Sequence, residues 1–188
     1  MQPLFSIITV TYNAEKWIER TLLSVLSQTY PNIEYIVIDG ASKDGTMEIA
    51  GRYASGITCL KSEPDKGIYD AMNKGIQQAT GDYIWFLNAG DTLHNADTVY
   101  RIVQRIEKRG ILPDVIYGET SIVDAEGRNM GLRRLKAPNR LTWKSFRMGM
   151  LVCHQSFIAK REIAPLFDLK YRLVADYDWC IQCLKRAD

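Results

Sequence analysis

The sequence predicts an α/β domain: a mostly parallel sheet flanked by helices, with a small antiparallel part toward its end. Three observations lead there. Short runs of β-branched and aromatic residues alternate with amphipathic stretches of helical length, the rhythm of βαβ units. The runs are apolar nearly throughout, as strands covered on both faces are. Three of them stop abruptly in Asp, Asn and Gly, and in an open α/β sheet ligands bind at such strand ends.

Residues 5–11 form the first buried strand, which ends in Tyr12-Asn13. Trp17, Ile18, Thr21, Leu22, Val25 and Leu26 recur at helical spacing and predict a helix over 14–27. Pro31-Asn32 breaks the chain before a second strand at 33–38. Residues 39–45 are loop, and 46–54 read as helix. A short strand at 57–60, a helix at 68–79 and a strand at 83–87 follow, and the last gives way to Asn88-Ala-Gly-Asp91. A helix over 97–108 leads to a strand at 114–117.

Beyond Gly118 the rhythm changes. Residues 120–123 and 130–134, joined by Asp124-Ala-Glu-Gly127, read as a hairpin. Residues 151–159 read as a strand and 176–186 as a final helix. No capping glycine or return element follows that helix, which predicts a truncated chain or a fragment. There are no internal repeats or linker-like stretches, so residues 1–188 form one domain.

Composition narrows the function classes. With 46% hydrophobic and 24% charged residues, disordered and fibrous classes are excluded. The net charge of +2 selects no partner, but its distribution is uneven. From Arg128 to Arg147 there are seven basic residues and no acidic one, interleaved with Leu132, Leu135, Leu141, Trp143 and Phe146. Two readings stand: a solvated face, or a surface for anionic lipid headgroups or a lipid-pyrophosphate-linked acceptor. Nucleic acid is not predicted, because no recognised binding module accompanies the segment. Cys59, Cys153, Cys180 and Cys183 form no spaced framework and read as reduced thiols. The start lacks signal-peptide character and the longest apolar run is far too short to span a bilayer. The expectation is a cytoplasmic protein, at most peripheral at the inner face of a membrane.

Neither a GxGxxG after the first strand nor a GxxxxGK[ST] is present, so a nucleotide site here needs another way to neutralise phosphate. A divalent metal held by a carboxylate is one.

Ser6-Ile-Ile-Thr-Val-Thr-Tyr-Asn13, Ser24-Val-Leu-Ser-Gln-Thr-Tyr30, Ile36-Val-Ile-Asp-Gly-Ala-Ser-Lys-Asp-Gly-Thr46 and Gly81-Asp-Tyr-Ile-Trp-Phe-Leu-Asn-Ala-Gly-Asp91 closely resemble the glycosyltransferase family 2 pattern. Glu63-Pro-Asp-Lys-Gly-Ile-Tyr-Asp-Ala-Met-Asn-Lys-Gly75 resembles the bacterial members that build capsules, exopolysaccharides and O-antigens. The resemblance is dense over residues 4–92 and resumes at His154-Gln155 and Asp176-Tyr-Asp-Trp179.

The resemblance implies the GT-A fold, a nucleotide-diphosphate-sugar donor (a UDP-hexose), an inverting mechanism and Mn²⁺ or Mg²⁺. It implies a nucleotide-sugar-binding half over 1–92 and an acceptor-side half over 93–188, with a saccharide or lipid-linked acceptor in surface polysaccharide synthesis. Thr9, Thr11 and Asn13 would line the nucleotide pocket and Tyr12 would pack on the base. Asp39, matching the first Asp of the family's Asp-Asp-Gly-Ser, would accept a hydrogen bond from the base; the second Asp is replaced by Gly40. Lys66 would neutralise phosphate. Where relatives read Asp-x-Asp-Asp, this chain keeps only Asp91 as a metal ligand, with Asn88 offering a carbonyl to the metal or a hydrogen bond to the sugar. Asp176 would be the general base, with Ala175 at the position of the usual Glu, and burial beside Tyr177 and Trp179 would raise its pKa. Its alternatives are a helix N-cap role, with Asp178 the rival base. His154 is either structural or close to the diphosphate or acceptor. Gly40 and Gly90 in place of acids also fit an impaired nucleotide-sugar-binding domain.

Overall fold

The computed structural model describes residues 2–187. Its strands are β1 (Phe5–Thr11), β2 (Ile33–Asp39), β3 (Cys59–Ser62), β4 (Tyr83–Phe86), β5 (Val115–Tyr117), β6 (Ser121–Val123), β7 (Asn129–Leu132) and β8 (Phe157–Lys160). The helices are α1 (Ile18–Leu26), α2 (Thr46–Arg52), α3 (Ile68–Gln78), α4 (Thr98–Arg109) and α5 (Ala175–Arg186). Six strands form one sheet in the order β3-β2-β1-β4-β8-β5, and β6 and β7 pair separately as the expected hairpin.

Strands β1 to β4 are mutually parallel, whereas β8 runs antiparallel to both β4 and β5. Strand alternation sorts the core into two layers. Ile8 and Val10 of β1, Ile36 and Ile38 of β2, and Ile84 and Phe86 of β4 pack beneath α3 and α5. Phe5, Ile7, Tyr35, Val37, Tyr83 and Trp85 pack on the other face with Ile18, Leu22, Val99 and Val103. The apolar runs were continuous because helices cover both faces.

Most boundaries shift by one or two residues, and three of the differences have a visible cause. Helix α1 starts at Ile18 rather than residue 14, because Ala14 and Glu15 direct their N–H groups to Thr46 Oγ1 and Asp44 Oδ2 on the neighbouring loop. Strand β3 begins at Cys59 rather than 57; Ile57 packs into the core and Thr58 N–H donates to the Tyr35 carbonyl, which sets the register. The expected strand over 151–159 is confined to Phe157–Lys160, and His154–Ser156 is a 3-10 turn. That turn lets His154 and Gln155 reach two different neighbours instead of alternating across a sheet.

At the edge opposite the strand ends, buried Glu34 accepts from Ser6 Oγ (2.5 Å), Thr80 N (2.8 Å) and Thr80 Oγ1 (2.8 Å). Burial pushes this carboxyl up, but the Ser6 and Thr80 donors outweigh it and the net shift is downward. A group whose folded pKa is depressed stabilises above its unfolded value and loses that contribution as pH falls through the folded one. Glu34→Ala should therefore destabilise the neutral protein by about 1–3 kcal/mol and flatten the acid limb of its stability profile. Urea titrations from neutral pH downward check this; an unchanged acid limb would show that other carboxylates carry it.

Candidate active site

Because β1, β2 and β4 are parallel, their carboxyl ends lie along one edge of the sheet. Antiparallel β8 begins at that same edge, which brings the 154–156 turn beside the loop after β4. Helix α3, entered after β3, also begins near this edge, and Asp176 lies in the first turn of α5.

These placements join four side chains from distant positions. Tyr69 Oη donates to Asp176 Oδ1 at 3.0 Å, and His154 Nδ1 lies 3.1 Å from Asp176 Oδ2. His154 Nε2 is 3.2 Å from Asn88 Nδ2. A carboxylate facing Nδ1 places the proton there, so Nε2 accepts from the Asn88 amide. Asn88 Oδ1 then remains buried and without a hydrogen-bond partner among the described residues.

The expectation that burial raises the Asp176 pKa is corrected. Desolvation does push it up, but the His154 hydrogen bond, with that of the Tyr69 hydroxyl, outweighs it and the net shift is downward. Tyr69 is pushed up to about 12 by burial and by the Asp176 charge. Asp176 is not a helix cap: Val174 holds the N-cap position, and no side-chain cap bond is made there. Asp178 accepts from Gln182 Nε2 at 3.2 Å, an i,i+4 contact along its own helix.

The residues expected at the nucleotide fall into two groups. Tyr12 is 62% exposed, and Lys66 is exposed. Asn13 takes a left-handed backbone (φ 47°), its Oδ1 accepts from Lys43 N at 2.8 Å, and its N–H donates to Ser42 Oγ at 2.8 Å. It fastens the β1 loop to the β2 loop. Thr9 is fully buried in the sheet, its hydroxyl 3.1 Å from Tyr35 Oη, so it belongs to the core rather than to an open pocket. Thr11, at the strand end, is buried with Oγ1 unpartnered among the described residues. Asp39 is 0% exposed. Its carboxylate accepts from Ser42 Oγ (2.5 Å), Ser42 N (2.9 Å) and Ser62 Oγ (2.6 Å).

The loop after β4 is held by α1. Thr21 Oγ1 donates to the Asp91 carbonyl (2.7 Å) and accepts from Gly90 N (2.8 Å), while Arg20 Nε donates to the Gly90 carbonyl (2.7 Å). Gly90 has φ +105°, a conformation in which a side chain is strained. Asp91 Oδ2 accepts from Gln155 Nε2 at 3.0 Å. Among the described residues no three His, Cys, Asp or Glu side chains converge as a metal cage. The donor set is one carboxylate and the orphaned Asn88 carbonyl, hard oxygens that suit Mg²⁺ or Mn²⁺ completed by phosphate and water.

A cavity of about 1020 Å³ opens between α1, the 88–91 loop and the β6–β7 hairpin, lined by Asp91, Gln155 and Cys153, with exposed His94 at its wall. In the basic segment, Arg128 pairs with Asp124 and Glu126, and Lys144 and Arg147, with Lys185 from α5, lie against Trp143 at 5.5–5.9 Å. Arg133 differs, its Nη1 buried and unpartnered among the described residues. Cys180 and Cys183 are buried core thiols whose pKa burial drives well up, which is unsuited to redox work. Tyr69 and Gln155 take their roles from contacts alone, to Asp176 and Asp91, which no pattern in the sequence marks.

This doubly covered, mostly parallel sheet with one antiparallel strand inserted and a small antiparallel sheet beside it matches the GT-A fold. Solved relatives share it: S. aureus TarS 1-349 in complex with UDP-GlcNAc superposes with TM-score 0.81 at 21% identity, covering 98% of this chain and 54% of that one. The mannosyltransferase PcManGT from Pyrobaculum calidifontis, in complex with GDP-Man and Mn²⁺, matches 66% of this chain and 36% of its own with TM-score 0.55 and 26% identity.

The family model for "Glycosyl transferase family 2" matches residues 6–164, and the chain belongs to that family. A "PGL/p-HBAD biosynthesis glycosyltransferase" of Mycobacterium bovis is 34% identical over 96% of this chain and 70% of its own length. An uncharacterized glycosyltransferase of Haemophilus influenzae is 28% identical over 98% of this chain and 73% of its own. The chain thus spans about 70% of these curated relatives and 54% of the TarS fragment. Among the described residues no helix is long and apolar enough to cross a membrane.

Proposed function

We propose that this protein is an inverting, metal-assisted hexosyltransferase that moves a sugar from a UDP-hexose to a saccharide or lipid-linked acceptor in cell-surface glycan synthesis. The observation that carries the reading is the Tyr69–Asp176–His154–Asn88 chain, which ties a candidate base to the loop expected to hold the donor. Similarity to a protein crystallised with UDP-GlcNAc and to relatives named for PGL/p-HBAD biosynthesis supports the donor class and a surface glycan product.

In this scheme the acceptor hydroxyl oxygen forms a bond to the sugar anomeric carbon while its proton passes to Asp176. The bond from that carbon to the diphosphate breaks, and its electron pair leaves with the diphosphate. Attack from the face opposite the leaving group inverts the centre. His154 and Tyr69 orient the carboxylate, so Asp176 enters the reaction ionised and positioned. When bound, a divalent cation would offset charge on the diphosphate; Asp91 and Asn88 Oδ1 are the groups that would hold it. Residues 1–92 bind the donor and 93–188 face the acceptor. The basic segment over 128–147, with Trp143 exposed within it and Met148 exposed just beyond it, serves an anionic lipid headgroup or lipid-linked pyrophosphate at the inner face of a membrane.

Incubation with UDP-hexoses, with and without Mn²⁺, tests the reading by slow UDP release. Asp91→Ala should remove the Mn²⁺ stimulation without altering the thermal midpoint, because Asp91 lies in a loop off the core. Equal stimulation of parent and variant would exclude Asp91 as the ligand, and no release with any sugar would favour a binding domain.

A further inference from the structure

The residue expected to read the base is already occupied. Both oxygens of Asp39 are engaged, and the residue is sealed from solvent beneath the 40–42 loop. It organises that loop by holding Ser42 and Ser62. A base stacked on exposed Tyr12 needs another acceptor.

Position 40 shows where one is. Gly40 is buried and its φ lies outside the left-handed region, so its backbone does not require glycine. Room does. A Cβ on Gly40 would collide with Asp65 Oδ2, and would lie 3.2 Å from Asp65 Cγ and 3.3 Å from Tyr12 Cδ2. The Asp65 carboxylate thus fills the volume that a side chain at position 40 would take, directly beside the Tyr12 ring. Asp65 Oδ1 is fixed by Gly67 N at 2.8 Å, and among the described residues Oδ2 accepts no hydrogen bond. The loops after β1 and β2 that flank the Tyr12 ring are fastened to each other, Asn13 N–H donating to Ser42 Oγ and Lys43 N–H to Asn13 Oδ1.

We propose that Asp65, acting through the gap left by Gly40, reads the base of the donor by accepting its ring N–H on Oδ2. The assignment rests on the donor reading above. Uracil, thymine and guanine present a ring N–H flanked by carbonyl oxygen, and a carboxylate accepts it in a charge-assisted hydrogen bond. Cytosine and adenine present a bare ring nitrogen at the equivalent position, so two acceptors would face each other. The site therefore takes nucleoside diphosphates whose base carries that N–H, and a carboxylate missing at position 40 is supplied from the segment before α3.

Calorimetric titration of the protein with UDP, dTDP, GDP, CDP and ADP in the presence of Mn²⁺ tests this. The parent should bind UDP, dTDP and GDP about tenfold or more tightly than CDP and ADP; dTDP or GDP binding no better than CDP would count against the assignment. Asp65→Ala should lower UDP affinity by about tenfold and leave CDP unchanged; Asp65→Asn, which keeps the shape, should narrow the UDP:CDP ratio in the same direction. Gly40→Asp alone should weaken UDP binding through the collision. The double variant Gly40→Asp with Asp65→Ala should regain the preference, its carboxylate now rising from position 40. If Asp65→Ala weakens UDP and CDP equally, or leaves their ratio intact, the assignment is wrong and the base is read elsewhere. If the parent binds no nucleoside diphosphate, the donor reading itself falls.

Discussion

Asp176→Asn is expected to lower turnover roughly 10²–10⁴-fold while nucleotide affinity stays nearly unchanged. The amide keeps the size of the carboxylate and still offers one oxygen to Tyr69 or His154, so the fold at the start of α5 survives. It cannot take the acceptor proton. Because a base makes its decisive interaction only as the proton moves, the loss falls on the chemical step. Asp178→Asn is the control: its carboxylate serves Gln182 on its own helix, and its change should be mild. The downward shift of Asp176 sets the pH behaviour. A base with depressed pKa stays ionised to lower pH than an ordinary Asp, so the acid limb of turnover should lie lower than an unperturbed Asp would place it. Steady-state rates against pH for both variants and the parent decide this. An inactive Asp178→Asn beside an active Asp176→Asn would move the base by two residues.

Trp179→Ala should destabilise the protein by about 3–5 kcal/mol. The indole is 1% exposed, stacks on Phe167 at 5.3 Å and 13°, and meets Phe86 and Phe157 edge-on at 5.5 and 5.8 Å. Its Nε1 donates to the Pro165 carbonyl at 2.7 Å. Truncation leaves a void among three aromatic rings and one buried carbonyl without its donor. Trp179→Phe should lose less, since it keeps most of the ring contact and forfeits the hydrogen bond. Urea denaturation measures both. A loss below about 1 kcal/mol for the alanine variant would mean that α5 is not docked by this cluster. Because Asp176 lies one turn before Trp179, the same variant should lose turnover at temperatures where it remains folded.

The layered sheet was legible because its signals are local. Continuous apolar runs, helical spacing of Leu22 and Val25, and the turn residues after each strand are properties of neighbours in the chain, and they located most elements to within a few residues. The strand-end signal pointed to the loop that carries Asp91, and only the family resemblance pointed to Asp176, which lies in the first turn of α5. The misplaced boundaries at residues 14, 57 and 151 have one source. In each, a backbone or side-chain group bonds a partner far away in sequence, which periodicity does not register.

The site itself depended on the third dimension. The antiparallel insertion of β8 is what carries His154 to Asn88 and Gln155 to Asp91, and no local pattern encodes strand direction. The sign of the Asp176 shift depended on which force won, and burial alone suggested the opposite of what His154 and Tyr69 impose. Asp39 looked like an open acceptor until Ser42 and Ser62 were found to occupy it, and Gly40 looked like a loss until Asp65 was found in its place. Residue types and their order along the chain specify which groups are available. Hydrogen-bond partners, burial and net charge balance arise only when segments separated by tens of residues are packed together, because those energies act through space rather than along the backbone.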